Sequence, residues 1–160
     1  MVKPIPEGYH SITPSLVYKD AKAAIAFYKK AFGAQELSVF AGPDGKIMHA
    51  ELKIGNSIFM LGEESPSCPD AKSAETTGAA ASFSLNLYVP DADATFRTAV
   101  AAGAKAAQTP QEMFWGDRFG RAIDPFGYGW NVMTHIKDVS TAEKEKGAKE
   151  FMGKALAGKK

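Results

Sequence analysis

A weak internal repeat constrains this chain more than any other feature. Residues 16–34 read LVYKDAKAAIAFYKKAFGA and residues 87–104 read LYVPDADATFRTAVAAGA. Each segment holds a short apolar strand, an aspartate (Asp20, Asp91), an alanine-rich stretch and then Gly-Ala at Gly33 and Gly103. The offset is 71 residues at the aspartate and 70 at the glycine, so the second helix is one residue shorter. An aspartate at that place accepts from the free N–H groups of the first helical turn. A glycine at the far end takes the left-handed conformation that stops a helix. Ala24, Phe27, Tyr28, Ala31 and Phe32 follow helical spacing, as do Ala92, Thr95, Phe96, Ala99 and Val100. Neither unit can bury its apolar face alone, so the two must shelter each other.

The strands come after each helix. Glu36–Phe40 leads into the turn Gly42-Pro43-Asp44-Gly45. Lys46–Ile54 and Ser57–Leu61 flank Gly55-Asn56, a tight hairpin signal. Residues 63–80 are rich in Glu, Ser, Pro and Gly and read as a linker. Beyond the second helix, Ala104–Ala107 reads as a strand, and Gln111–Trp115 and Arg118–Ala122 read as extended around Gly116-Asp117. Asp124-Pro125-Phe126-Gly127 is a turn and Gly129–His135 the last strand. The expected fold is α+β: paired βαβββ modules forming a curved, partly open sheet around a cleft, with helices on the convex side. The domain spans 6–136, with module one about 9–65 and module two about 80–136. The charged tail 137–160 opens with a capping box at Ser140 and Glu143 and reads as a solvated helix, frayed by Gly147 and Gly153. The alternative is a helix that docks Phe151, Met152 and Leu156 on a partner.

Composition narrows the function classes. Nineteen basic against eighteen acidic residues leave a net charge of +1, whereas nucleic-acid binders carry a strong basic excess. A single cysteine, Cys68, excludes an intrachain disulfide. No segment approaches the ~18 unbroken apolar residues of a membrane span, and the first residues carry no apolar leader. A cytoplasmic protein with no nucleic-acid or membrane partner is expected.

The hairpin fixes which side chains share a face. With Ile54 opposite Ser57, Glu51 pairs with Met60 and His49 with Gly62. His49, Glu51, Lys53, Ile58 and Met60 then face the cleft or solvent, while Ala50, Leu52, Ile54, Phe59 and Leu61 pack under the helix. By the same alternation Ser82, Ser84, Asn86 and Tyr88 oppose Phe83, Leu85, Leu87 and Val89.

Together these pieces resemble the vicinal oxygen chelate superfamily of glyoxalases, bleomycin-resistance proteins and dioxygenases. The matching residues are Asp20 with Ala24–Gly33, Ile54-Gly55-Asn56-Ser57, Val89 with Asp91, and Asp124-Pro125-Phe126-Gly127. Pro6-Glu7-Gly8-Tyr9-His10, Met48-His49-Ala50-Glu51-Leu52 and Phe114-Trp115-Gly116-Asp117-Arg118 resemble its PhnB-like subgroup. The resemblance implies paired βαβββ modules and a homodimer. It also implies metal ligands at four positions, which fall here at Thr13, Met60, Ser84 and Asn131. None of these is a usual first choice for zinc, iron or nickel.

The expected function is therefore binding of a small polar or planar organic molecule, without a metal cofactor. The expected lining is His49, Glu51, Asn86, Trp115, Arg118 and Asn131. Trp115 offers an indole for stacking, and Arg118 offers a planar fork for an anion unless it pairs with Asp117 or Asp124. His49 and Glu51, two apart on one strand, form either an acid/base pair or the start of a shifted site for a divalent metal ion. That second option corresponds to a lyase, isomerase or dioxygenase. A third is a non-catalytic interaction module. Trp130 should face the core.

Overall fold

The computed structural model describes residues 2–78 and 81–157. Residues 79–80, at the end of the expected linker and the start of module two, and 158–160, at the end of the tail, lie outside the described residues. Module one runs β1 (Ser15–Tyr18), α1 (Ala21–Phe32), β2 (Gln35–Ala41), β3 (Ile47–Ile54) and β4 (Ser57–Glu63). A one-turn helix α2 (Ala74–Thr77) interrupts the linker. Module two runs β5 (Ser84–Tyr88), α3 (Ala92–Ala102), β6 (Lys105–Glu112), β7 (Asp117–Ile123) and β8 (Gly129–His135). The tail forms α4 (Thr141–Ala157).

Both helices start and stop as the repeat requires. The Asp20 carboxylate accepts from Ala23 N and that of Asp91 from Ala94 N, each at 2.9 Å. Gly33 closes α1 at φ 64°, a conformation that a side chain would strain. Each module then folds its strands in the same order: β1-β4-β3-β2 in sheet A and β5-β8-β7-β6 in sheet B. The first strand of each module pairs parallel with its last, and the other pairings are antiparallel. The architecture is α+β, with two open four-stranded sheets. The β3–β4 register places Ile54 opposite Ser57 and Glu51 opposite Met60, as the hairpin predicts.

Two local expectations change. Ala104–Ala107 and Gln111–Trp115 are not separate elements. Lys105–Glu112 is one strand with register shifts between Ala106 and Gln108 and between Gln108 and Gln111. Those irregularities, with Pro110 among them, broke the sequence pattern that a continuous strand would show. Gly147 does not fray α4 but lets it dock: a Cβ there would stand 2.6 Å from Phe114 Cβ. The capping box is present, with Glu143 N donating to Ser140 Oγ and Ser140 N to Glu143 Oε2.

One core serves both modules. α1 and α3 pack on each other, and Tyr28 and Phe32 of α1 set their rings against Trp130 of β8. Trp130 is buried, as alternation requires. At the centre lies Asp124, 4% exposed. Its carboxylate accepts from Tyr28 Oη (2.5 Å), Trp130 Nε1 (3.0 Å), Phe126 N (3.0 Å) and Tyr128 N (2.9 Å). Tyr18 Oη donates in turn to Tyr28 Oη at 2.7 Å. Burial pushes the Asp124 carboxyl up and its donors hold it down. Burial also drives the Tyr28 phenol well above its ordinary value. The aspartate of the turn motif thus ties the turn, α1 and β8 into one unit.

The modules also meet where the residue before β8 reaches β1. Tyr128 Oη donates to Val17 O at 2.6 Å and accepts from Val17 N at 3.2 Å, satisfying the free edge of β1. A shallow groove beside it is lined by Ser15, Val17, Phe83 and Tyr128. The helices pack on one face of each sheet, and the opposite, helix-free face is the one the expected fold makes concave.

Candidate functional site

Four of the expected lining residues reach the concave surface from the strands, but not as one cluster. On sheet A, His49 Nε2 donates to Glu51 Oε1 at 3.3 Å, and the His49 ring lies against Phe40. Tyr9 sets its phenol beside the same carboxylate and is pushed up to about 12. Tyr9, then His49 and Ser38, hold Glu51 below the ordinary carboxylate value. The N-terminal segment crosses this half of the surface. A Cβ on Gly8 would stand 3.2 Å from Ile58 Cδ1, and Ile58, expected to face the cleft, is buried.

On sheet B, Asn131 of β8 lies opposite Asn86 of β5. Its Nδ2 donates to Asn86 Oδ1 at 2.8 Å and to Ser84 Oγ at 3.1 Å. Its Oδ1 is buried and has no partner. Arg121 of β7 pairs with Asn131 in register and so shares the face.

Trp115 lies at the far end of this sheet, in the turn before β7. Its Nε1 donates to Asp117 Oδ2 at 3.1 Å, and its ring meets Phe114 and Phe119 edge-on. Asp117 is 5% exposed. It also accepts from Tyr88 Oη at 3.1 Å and from His135 Nδ1 at 2.8 Å. Asp117, then Asp138, raise His135 above its ordinary value. The indole is thus an anchor for the turn rather than part of the Asn86–Asn131 group.

Arg118 does not belong to the site. It lies opposite Thr134, whose hydroxyl accepts from Ala92 N at the start of α3, so this is the helix side of the sheet. Its guanidinium pairs with Asp93 of α3 through Nε, and Nη2 donates to Asp93 Oδ1 at 2.8 Å and to Pro110 O at 3.2 Å. The partner is neither Asp117 nor Asp124. Strand alternation from Asp117 supplies the reason: 117, 119 and 121 face one way and 118 the other.

A crevice of about 620 Å³ opens where the modules meet. Its walls come from the β3–β4 hairpin (Ile54–Phe59), from β5 and the residues just beyond its end (Leu85–Pro90), from Phe32 and Trp130, and from His10, Ile12 and Pro14 of the N-terminal segment. It is mostly apolar. Its polar residues are His10, Asn56, Ser57, Asn86 and Tyr88. Asn86 therefore belongs both to the crevice and to the amide group of sheet B.

The superfamily model for glyoxalase, bleomycin resistance protein and dioxygenase matches residues 9–132. The chain belongs to the glyoxalase/bleomycin resistance protein/dioxygenase superfamily. It is 39% identical over 134 residues to an uncharacterized protein of Mycobacterium tuberculosis (strain ATCC 25618 / H37Rv), covering 83% of this chain and 79% of that one. Among solved structures, TioX from Micromonospora sp. ML1 is similar at 25% identity and TM-score 0.61, over 82% of this chain and 100% of that one. The PhnB protein from Bacillus cereus, a putative 3-demethylubiquinone-9 3-methyltransferase, shares the fold at 16% identity and TM-score 0.59, over 78% and 99%.

The metal that the resemblance implies does not fit the residues at its positions. Asn131 and Ser84 are bonded to each other, Thr13 Oγ1 donates to His10 O, and Met60 offers a thioether. Three neutral oxygen-bearing side chains and one thioether lack the carboxylate and imidazole donors a divalent ion takes. Among the described residues, no group of three or more His, Cys, Asp or Glu is arranged to hold a metal. No described helix is long and apolar enough to cross a membrane.

Sequence reasoning missed Tyr9, Asp117, Arg121 and the unpartnered acceptor of Asn131. For Arg121 the signal was available: alternation along Asp117–Ile123 selects it once the strand start is known. For Tyr9 there was none, because only the tertiary fold lays residues 6–14 across β3 and β4.

Proposed function

We propose that this protein binds a small organic molecule in the crevice between its modules, without a catalytic metal. One observation carries the reading. The crevice of about 620 Å³ falls within the ~300–1,000 Å³ of small-molecule sites and shares their make-up, apolar walls with a few convergent polar groups. The mismatch of Thr13, Met60, Ser84 and Asn131 with metal chemistry supports binding over the metal-assisted lyase, isomerase or dioxygenase alternative. His49 and Glu51, the start of a shifted site, are already bonded to each other. The motifs at Met48–Leu52 and Phe114–Arg118 support a place in the PhnB-like subgroup, and the superfamily resemblance supports a cytoplasmic homodimer.

The test is titration with the neutral hydrophobic fluorophore N-phenyl-1-naphthylamine. Saturable fluorescence enhancement is expected for the parent and its loss in Ser57→Trp, where an exposed residue of the crevice wall becomes large. Absence of saturable binding, or identical binding by Ser57→Trp, refutes the reading.

A further inference from the structure

We propose that the concave face of sheet B holds the acid end of a small organic carboxylate, gripped by the Arg121 guanidinium with Asn86 and Ser84. The proposal rests on the small-molecule reading and names the chemistry of the ligand.

The two arginines of β7 differ in their partners. Arg118 is engaged by Asp93 and Pro110 on the helix side. The Arg121 side chain makes no ion pair or hydrogen bond with any described residue. Its side chain nevertheless has a defined seat. A Cβ added to Gly129 would stand 3.1 Å from Arg121 Nη2 and 3.4 Å from Ser84 Cβ. The guanidinium of the exposed Arg121 therefore lies against Gly129, beside Ser84, where a Cβ at 129 would press on it.

Its neighbours offer donors. Asn131 Nδ2 occupies Asn86 Oδ1 and Ser84 Oγ. That leaves the Asn86 amide N–H groups, the Ser84 hydroxyl proton and the guanidinium N–H groups free. Asn131 Oδ1 is the one buried acceptor of the group without a partner. No carboxylate balances the charge: the register places Gln108 and Asn131 beside Arg121. Asp117, further along the same strand, is already held by three donors. A set of free donors around an unpaired cation calls for an anion. The planar fork of arginine matches the two oxygens of a carboxylate better than a point charge would. Asn86, on the edge strand β5, also lines the crevice.

The probes are benzoate, its neutral amide benzamide, and inorganic phosphate, each followed by calorimetry and by backbone NMR shifts at 84, 86, 121, 129 and 131. Benzoate is expected to bind at these positions and benzamide about tenfold or more weakly. Arg121→Gln should weaken benzoate about tenfold to a hundredfold. Gly129→Ala, which keeps every charge but intrudes on the guanidinium seat, should weaken it in the same direction. N-phenyl-1-naphthylamine binding by both variants reports that the fold and crevice are intact. Benzoate binding unchanged in Arg121→Gln, or absent from the parent while the fluorophore still binds, overturns the proposal and leaves the crevice reading standing. Tighter binding of phosphate than of benzoate overturns the carboxylate class. Benzoate bound through Arg121 with no fluorophore binding by the parent supports the anion site and overturns the apolar crevice as a binding site.

Discussion

Replacing Asp124 with asparagine tests whether one buried carboxylate holds the two modules together. Asn Oδ1 can still accept from Phe126 N and Tyr128 N, which now bond one carboxylate oxygen. The other oxygen becomes an NH₂ group. The Tyr28 hydroxyl adapts by accepting from that group and donating to Tyr18, 2.7 Å away. Trp130 Nε1 cannot adapt, because an indole N–H only donates. Two buried donors, Trp130 Nε1–H and the Tyr18 hydroxyl that loses its acceptor when Tyr28 turns to donate, are left without an acceptor, at a cost of about 2–6 kcal/mol in all. For a domain of this size that is roughly 4–24 °C in Tm. Asp124→Ala removes all four bonds and leaves a void, at about 4 kcal/mol or more. The acid limb adds a second readout. Burial raises the Asp124 pKa in the folded state, so this group binds its proton more tightly folded than unfolded. Its contribution to stability is therefore fully present below the ordinary aspartate value and lost as pH rises through the raised folded value. Asparagine lacks that contribution, so its acid destabilisation should be steeper. Urea unfolding at pH 7 and through the acid range measures both effects. A variant within about 0.5 kcal/mol of the parent at pH 7, or with an acid limb no steeper, refutes the reasoning.

Gly147→Val places a side chain where 2.6 Å separates even a Cβ from Phe114. Hydrogen exchange across 141–157 should accelerate about tenfold or more while the sheets stay protected. The His135 imidazole should titrate above its ordinary 6.5 because Asp117 and then Asp138 favour the charged form. Its contribution to stability is present below that ordinary value and lost as pH rises through the folded one; Asp138→Asn should lower the pKa read by NMR. Arg118→Ala breaks the link to Asp93 on the helix side, so it should change affinity in the crevice less than about twofold by calorimetry.

The architecture was legible because its signals are local. Asp20, Gly33, Asp91 and Gly103 punctuate two helices, and Gly55-Asn56 sets the β3–β4 register that assigns both faces. β6 was less legible because bulges around Gln108 and Pro110 break the period of two that identifies a strand. The site was legible only where face assignment sufficed. Asn86 and Asn131 do meet at 2.8 Å, because alternation on two paired strands puts them there. Arg118 was misplaced because its motif was read without the strand's starting residue, and one step of register carries a side chain through the sheet. Ile58 was misread because the segment that covers it, around Gly8, comes from outside either repeat.

The repeat also shows where the two halves have parted. Both modules present polar residues on the concave surface. In module one, Gly8 and Tyr9 lie over Ile58 and beside Glu51, His49 bonds Glu51, and Ser38 Oγ on the same face is buried without a partner. In module two, Asn131 Oδ1 and the Arg121 guanidinium remain unmatched among the described residues. Asn131 Oδ1 is buried whereas Arg121 is exposed to solvent, so only the first carries the cost of an unpartnered buried polar atom. The same strand order thus carries two different surfaces: sheet A lies under the chain's own N-terminal segment, and sheet B keeps Arg121 beside the Asn86–Asn131–Ser84 group. The anion site proposed on sheet B draws on this difference, which neither half of the repeat shows alone.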